Sequence, residues 1–173
     1  EVDNPNGVLY GRLPGFGLTE LGHSMAARAA EYLVDSGADI TRVISSPLLR
    51  AQLTAAPTAA AYGLTIETDP RLIESDNVFE GMPVNSNRAM LAHPKYYKYY
   101  CNPLRPSWGE PYRDIASRMS AALSSALRAA RGHEALVVSH QNPIVTLTRF
   151  VNGQPLAHAP KSRHCALASI TSF

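Results

Sequence analysis

Arg42-Val43-Ile44-Ser45-Ser46-Pro47-Leu48-Leu49-Arg50 is the stretch on which the fold turns. Arg42 to Ser45 reads as a short buried strand. Ser46-Pro47 then starts a helix: serine caps, and proline tolerates the first helical position because its missing N–H needs no partner there. The helix is expected to reach about Tyr62. Pro57 lies inside it and predicts a kink or interruption costing on the order of 3 kcal/mol. A buried strand running straight into a helix is the repeating unit of a layered α/β fold, in which ligands bind outside the carboxyl ends of the strands.

The flanking sequence repeats that rhythm. Upstream, residues 1–18 are rich in Gly, Pro and Asn and read as irregular, exposed backbone. Thr19 caps a helix to about Asp35, with Leu21, Met25, Ala29, Leu33 and Val34 at roughly helical spacing and Gly37 as its stop. Downstream, Leu64 to Glu67 reads as a strand. A helix from Pro111 to about Ala130 carries Ile115, Met119, Leu123 and Leu127 at four-residue spacing. Ala135 to Ser139 is a buried strand, and Asn142 or Pro143 starts a helix ending near Asn152-Gly153. Residues 165–171 form a last strand in this reading. The fold class is α/β, a three-layer sandwich with a mostly parallel sheet flanked by helices.

Residues 69–110 break the rhythm: they are polar, rich in proline and carry Tyr96, Tyr97, Tyr99 and Tyr100, with a short helix expected near 86–93. Such a long excursion is commonly functional or a lid. A surface insertion packing its own aromatics is the other reading, and both stay open.

Composition bounds the rest. At 173 residues, 45% of them apolar, the chain reads as one domain over 1–173, with a lid or specificity insert at about 76–110. Sixteen basic residues against fourteen acidic ones give a net charge of +2, which points to neither nucleic acid nor an anionic membrane. Any anion site must be local. No apolar run approaches the roughly 18 residues that span a bilayer. Cys101 and Cys165 lie far apart without C-x-x-C spacing, so two free thiols and a cytoplasmic location are expected.

Three strand exits offer chemistry. Arg50 lies in the first turns of its helix, where a guanidinium can grip phosphate through two parallel hydrogen bonds. His140 ends a buried strand and precedes a helix, whose first backbone N–H groups can bind an anion. Glu74, in Asp69-Pro70-Arg71-Leu72-Ile73-Glu74, follows a strand and can donate a proton if partly desolvated. Taken singly, each is as readily a solvated arginine, a histidine satisfied by backbone, or a loop glutamate.

Taken in order, the motifs resemble the histidine phosphatase superfamily, the phosphoglycerate mutase-like proteins. They are Glu1, Asn4, Leu18-Thr19-Glu20-Leu21-Gly22, Ser46-Pro47-Leu48-Leu49-Arg50-Ala51-Gln52-Leu53-Thr54-Ala55, Arg71-Leu72-Ile73-Glu74, Gly109-Glu110 and Val138-Ser139-His140. The resemblance implies the phosphoglycerate mutase-like sandwich and a set of roles. Arg50 holds the phosphoryl oxygens, His140 stabilises charge on the transferring group, Asn4 contacts phosphate, and Glu74 protonates the leaving oxygen. Such roles suit phosphoryl transfer, where positioning and charge stabilisation dominate. The resemblance implies no cofactor and no metal, since arginines, histidines and helix N-termini supply the positive field.

The sequence departs from the pattern in three places. No Arg-His-Gly occurs, and Glu1 aligns with the residue just after that motif. The motif's strand lies inside the sheet, and an interior strand cannot be lost without exposing ladder groups, so about ten further residues are expected upstream, carrying the nucleophilic histidine. His23, His93, His133, His158 and His164 have no counterpart in that role. Gln141 stands where the family has Gly; its side chain either bonds substrate in the phosphate site or points away. Residues 76–110 offer Tyr, Lys95, Lys98 and Trp108 as substrate contacts.

The function implied is a phosphomonoester hydrolase acting through phosphohistidine on a small-molecule substrate, with no nucleic-acid or membrane partner. The alternatives are a phosphoglycerate mutase-type phosphotransferase or, without the upstream segment, a non-catalytic phosphate-binding module. Oligomeric state is open.

Overall fold

A period of two along each strand decides which side of the sheet a residue serves. The computed structural model describes residues 1–84, 92–99, 109–158 and 165–173. Strands β1 (Ile40–Ser45), β2 (Ile66–Thr68) and β3 (Glu134–Val138) pair in parallel in the order β2-β1-β3. Val43, Leu136 and Val138 pack on one face with Ala55 and Ala59, whereas Ile44, Ala135 and Val137 pack on the other with Ile115, Met119 and Leu147. Pairing jumps from Ile40–Glu134 to Arg42–Ala135, leaving Thr41 as an extra residue in β1. One extra residue inverts the alternation, which is why Ile40 shares a face with Val43.

Helices α1 (Glu20–Asp35) and α2 (Leu49–Ala61) cover the first face, and α3 (Tyr112–Ala130) and α4 (Gln141–Val151) the second. The expected layered α/β architecture is therefore present. Thr19 caps α1 by accepting the Gly22 N–H at 3.0 Å. Gly37, with φ +71°, ends it by sending its N–H back to the Val34 carbonyl at 3.0 Å.

Several boundaries move. Helix α2 starts at Leu49, with Leu48 extended at its N-cap, and not at Ser46-Pro47. Two contacts hold Ser46 back in the strand exit: its N–H bonds the Val138 carbonyl at 2.9 Å, and its hydroxyl lies 2.8 Å from His140 Nε2. Pro57 does not interrupt α2. Strand β2 begins at Ile66 because the Leu64 N–H is still tied to the Ala59 carbonyl closing α2. In α3 the buried stripe runs Ile115, Met119, Ala122, Ala126, Ala130, and Leu127 is 54% exposed. A strict four-residue spacing drifts about 40° per step on a 3.6-residue helix, so three steps carry Leu127 roughly 120° from Ile115.

The strand expected over 165–171 does not form. The Ser169 N–H turns back to the Ala166 carbonyl at 3.2 Å, Ala168 takes φ +53°, and Leu167 and Ile170 are exposed. A left-handed residue in mid-run ends an extended strand. Most of the helix expected near 86–93, together with Tyr100, Cys101, Trp108 and His164, lies outside the described residues. Cys165 is a free thiol. Among the described residues no helix is long and apolar enough to cross a membrane.

Candidate active site

Because the three strands are parallel, their carboxyl ends lie on one edge of the sheet, and each exit delivers one of the expected groups. The Asp69 N–H bonds the Ser45 carbonyl at 2.9 Å, as Ser46 does Val138, so the exits from β2 and β3 are stitched to the central strand β1. Ser46 and His140, buried residues 94 positions apart, meet through the Oγ–Nε2 contact.

Arg50 reaches this edge from the first turn of α2 and is 5% exposed. Its Nη2 donates to the Gly11 carbonyl at 2.6 Å, and its guanidinium carbon stands 4.7 Å from the centre of the Tyr10 ring. Stacking and the carbonyl bond fix the plane of the guanidinium. The loop that supplies both contacts is itself anchored: the Leu9 N–H bonds Met82 O at 2.8 Å and the Gly81 N–H bonds Leu9 O at 2.9 Å. Gly11 takes φ +36°, where a side chain is strained, and a Cβ there would push aside the Glu80 carboxylate. Burial lowers the Arg50 pKa, opposed by Tyr10, Glu74 and Glu80; an arginine nonetheless stays charged. Burial raises the Tyr10 pKa, with Arg50 opposing and Glu74 adding to the shift.

His140 is the N-cap of α4 and is buried. Burial, then the charges of Arg50 and Arg118, lowers its pKa from 6.5 to about 3, so the imidazole is neutral at pH 7. An unfolded chain binds a proton here below pH 6.5 that the folded chain refuses until about pH 3. The contribution to stability is thus complete above pH 6.5 and is lost as pH falls toward 3, with a slope of up to about 1.4 kcal/mol per pH unit. Urea unfolding of wild type and His140→Gln at several pH values tests this: the stability gap between them should shrink on acidification, and a constant gap would contradict it.

Glu74 is half-buried beyond a 3-10 turn at Pro70–Leu72. Its Oε1 accepts from the Ser75 N–H at 2.8 Å and from the Ser75 hydroxyl at 3.2 Å. Asn142, in the first turn of α4, donates to that hydroxyl at 2.8 Å, while its own Oδ1 is buried without a partner among the described residues. Arg50, Glu74 and His140 are linked electrostatically, since Glu74 acts on Arg50 and Arg50 acts on His140. A buried cation beside a neutral imidazole and a carboxyl group, with the first turn of α4 close by, can take a phosphoryl group and pass a proton to its ester oxygen.

The model of the histidine phosphatase superfamily (branch 1) matches residues 1–173. This chain belongs to that superfamily. It is 52% identical over 173 residues to the uncharacterized protein Rv0525 of Mycobacterium tuberculosis (strain ATCC 25618 / H37Rv), covering all of this chain and 85% of that protein. It is 36% identical over 160 residues to the probable phosphoglycerate mutase GpmB of Yersinia pestis (strain Pestoides F), covering 88% of this chain and 72% of that one. Among solved structures, the α-ribazole phosphatase of Shigella flexneri superposes with a TM-score of 0.68 at 26% identity, covering 90% of this chain and 77% of the other.

Within this histidine phosphatase fold, Arg50, Glu74 and His140 come together, whereas two other expected phosphate contacts are otherwise engaged. Both ends of the Asn4 side-chain amide are taken by Val8, its Nδ2 by the carbonyl at 2.9 Å and its Oδ1 by the N–H at 3.2 Å. The Gln141 amide donates to the Cys165 carbonyl at 2.9 Å, toward the C-terminal tail. His133 pairs with Asp39 at 2.6 Å beside the amino ends of β1 and β3, away from the site. Tyr10, Ser46 and Asn142 are the site residues that sequence reasoning missed in this role. Ser46 was legible as a helix cap and as the first residue of a family motif but was given no role in the site, and nothing local marks Tyr10.

Proposed function

We propose that the protein is a phosphomonoester hydrolase that works through a phosphohistidine intermediate on a small-molecule substrate. The observation that carries this reading is the meeting of Arg50, His140 and Glu74 at the carboxyl ends of three parallel strands, in a chain of the histidine phosphatase superfamily. The likeness to the Shigella α-ribazole phosphatase supports a hydrolase.

In this mechanism the nucleophile is a histidine that the family pattern sets just upstream of Glu1. Its ring nitrogen attacks phosphorus as the ester P–O bond breaks, and Glu74 protonates the departing oxygen. Arg50 neutralises charge on the transferring group. His140, neutral in the empty site, donates a hydrogen bond to that group, and a bound dianion favours its protonated form. The first N–H groups of α4, that of Gln141 included, complete the anion cradle. Water then attacks the phosphohistidine, Glu74 recovers a proton from it, and the P–N bond breaks to release inorganic phosphate. The region 76–110 supplies the contacts that select the rest of the substrate.

The test is the intact mass of the full-length protein before and after brief exposure to a phosphomonoester at neutral pH. An acid-labile phosphoryl adduct, with phosphate released on turnover, is expected. Absence of both would refute the reading and leave a non-catalytic phosphate-binding module. The likeness to the Yersinia mutase keeps a second reading, interconversion of 2- and 3-phosphoglycerate without net phosphate release, which the same assay distinguishes.

A further inference from the structure

One carboxylate outside the three strand exits accepts three hydrogen bonds from two arginines. Glu110 lies one residue ahead of Pro111, the N-cap of α3, and its side chain is 15% exposed. Arg118 approaches it with two parallel bonds, Nε to Oε1 at 2.8 Å and Nη2 to Oε2 at 2.9 Å. Arg12 adds a third, Nη2 to Oε2 at 2.9 Å. A carboxylate between two guanidinium groups can hold both in one orientation, and bidentate geometry makes that orientation specific.

Each arginine gives one further N–H to the same short segment. Arg118 Nη1 donates to the Arg71 carbonyl at 2.5 Å, and Arg12 Nε donates to the Glu74 carbonyl at 2.8 Å. These carbonyls stand at the two ends of Arg71-Leu72-Ile73-Glu74. The backbone that carries the Glu74 carboxyl group is therefore clamped at both ends by cations that share Glu110. Beyond Glu74 the same region is stitched again: the Glu110 N–H bonds the Asp76 carbonyl at 3.2 Å, and Gly109 pairs with Asn77. Gly109 sits so close to the Asp76 carbonyl that a Cβ would collide with it.

We infer that Glu110 is a positioning residue for proton donation, setting the place of Glu74 through Arg12 and Arg118. The inference rests on Glu74 being the proton donor. It goes beyond that reading by assigning a role to a residue that touches neither phosphate nor leaving group. Substrate binding is assigned to Arg50 and His140, to which Glu110 makes no hydrogen bond, although the charge of Arg118 acts on His140. Loosening the clamp therefore affects turnover of substrates that need protonation and leaves KM nearly unchanged.

The experiment compares wild type, Glu74→Gln, Glu110→Gln, Arg12→Lys and the Glu74→Gln/Glu110→Gln double variant in the full-length protein. Each is assayed on an alkyl phosphate and on p-nitrophenyl phosphate, whose leaving group needs little help from an acid. Glu110→Gln should lower kcat at least tenfold on the alkyl substrate, less than threefold on the nitrophenyl one, and change KM less than twofold. The double variant should be no slower on the alkyl substrate than Glu74→Gln alone, because both changes disable one proton transfer. Arg12→Lys keeps the charge but cannot reach Glu74 and Glu110 together, so it should show the same selective loss even where Glu110→Gln folds poorly. Equal losses on both substrates in Glu110→Gln and Arg12→Lys, or losses that multiply in the double variant, would overturn the positioning role while a selective Glu74→Gln left the donor role standing. A Glu74→Gln variant that loses equally on both substrates would instead sink the donor role and this inference with it.

Discussion

Arg50→Ala is expected to lower kcat on any phosphomonoester by about two decades or more, with His140→Ala close behind. Two decades correspond to about 2.7 kcal/mol of lost transition-state stabilisation. That magnitude is reasonable for Arg50 because its charge is held with little solvent around it and with its orientation already set by Gly11 and Tyr10. No reorganisation is then needed when charge develops on the phosphoryl oxygens. Arg50→Lys separates charge from shape: a lysine restores a point charge but not the fork, so an intermediate loss is expected. For His140 the loss has a different source, a buried hydrogen-bond donor at the strand exit whose neutral form is favoured by burial and by the charges of Arg50 and Arg118. Steady-state kinetics of the three variants, with thermal unfolding as a control for folding, checks the assignment. Near-wild-type turnover in a folded Arg50→Ala or His140→Ala protein would refute the pocket.

The two residues were legible for a common reason: each follows a buried apolar strand, and in a parallel sheet that position alone places a side chain at the ligand edge. The layers were legible from the same local patterns, strand by strand and helix by helix. What was not legible depends on distant pairing. Arg12 and Glu110 lie 98 positions apart, and no spacing rule relates them. The loop bearing Tyr10 read only as Gly- and Pro-rich backbone, yet its Gly11 lies against the side chain of Glu80, far along the chain. Asn4 has a local partner that its motif did not announce. Its place in an ordered motif suggested a phosphate contact, but an amide two bonds from the backbone satisfies itself locally when a turn brings Val8 within reach. Residues 165–171 carry enough apolar and β-branched side chains to resemble a strand. Extended structure there would still require a neighbour to complete its ladder, and the turn at Ala168 satisfies the backbone locally instead.

Glu74→Gln should separate substrates by their leaving groups, and this is the second large effect expected. The glutamine keeps size and hydrogen-bonding capacity, so the Ser75 contacts and the loop held by Arg12 survive. What it cannot do is deliver a proton. An alkoxide leaves poorly without one, whereas p-nitrophenolate departs almost unaided. On an alkyl phosphate kcat should therefore fall by roughly two to four decades, the usual contribution of a general acid. On p-nitrophenyl phosphate the loss should be within about one decade, with the alkaline limb of the wild-type pH profile for the alkyl substrate abolished in the variant. If both substrates lost equally, or if the alkaline limb survived in Glu74→Gln, the proton would have to come from another group, and Tyr10, which faces Arg50 and Glu74 with its own pKa raised, would be the next side chain to replace.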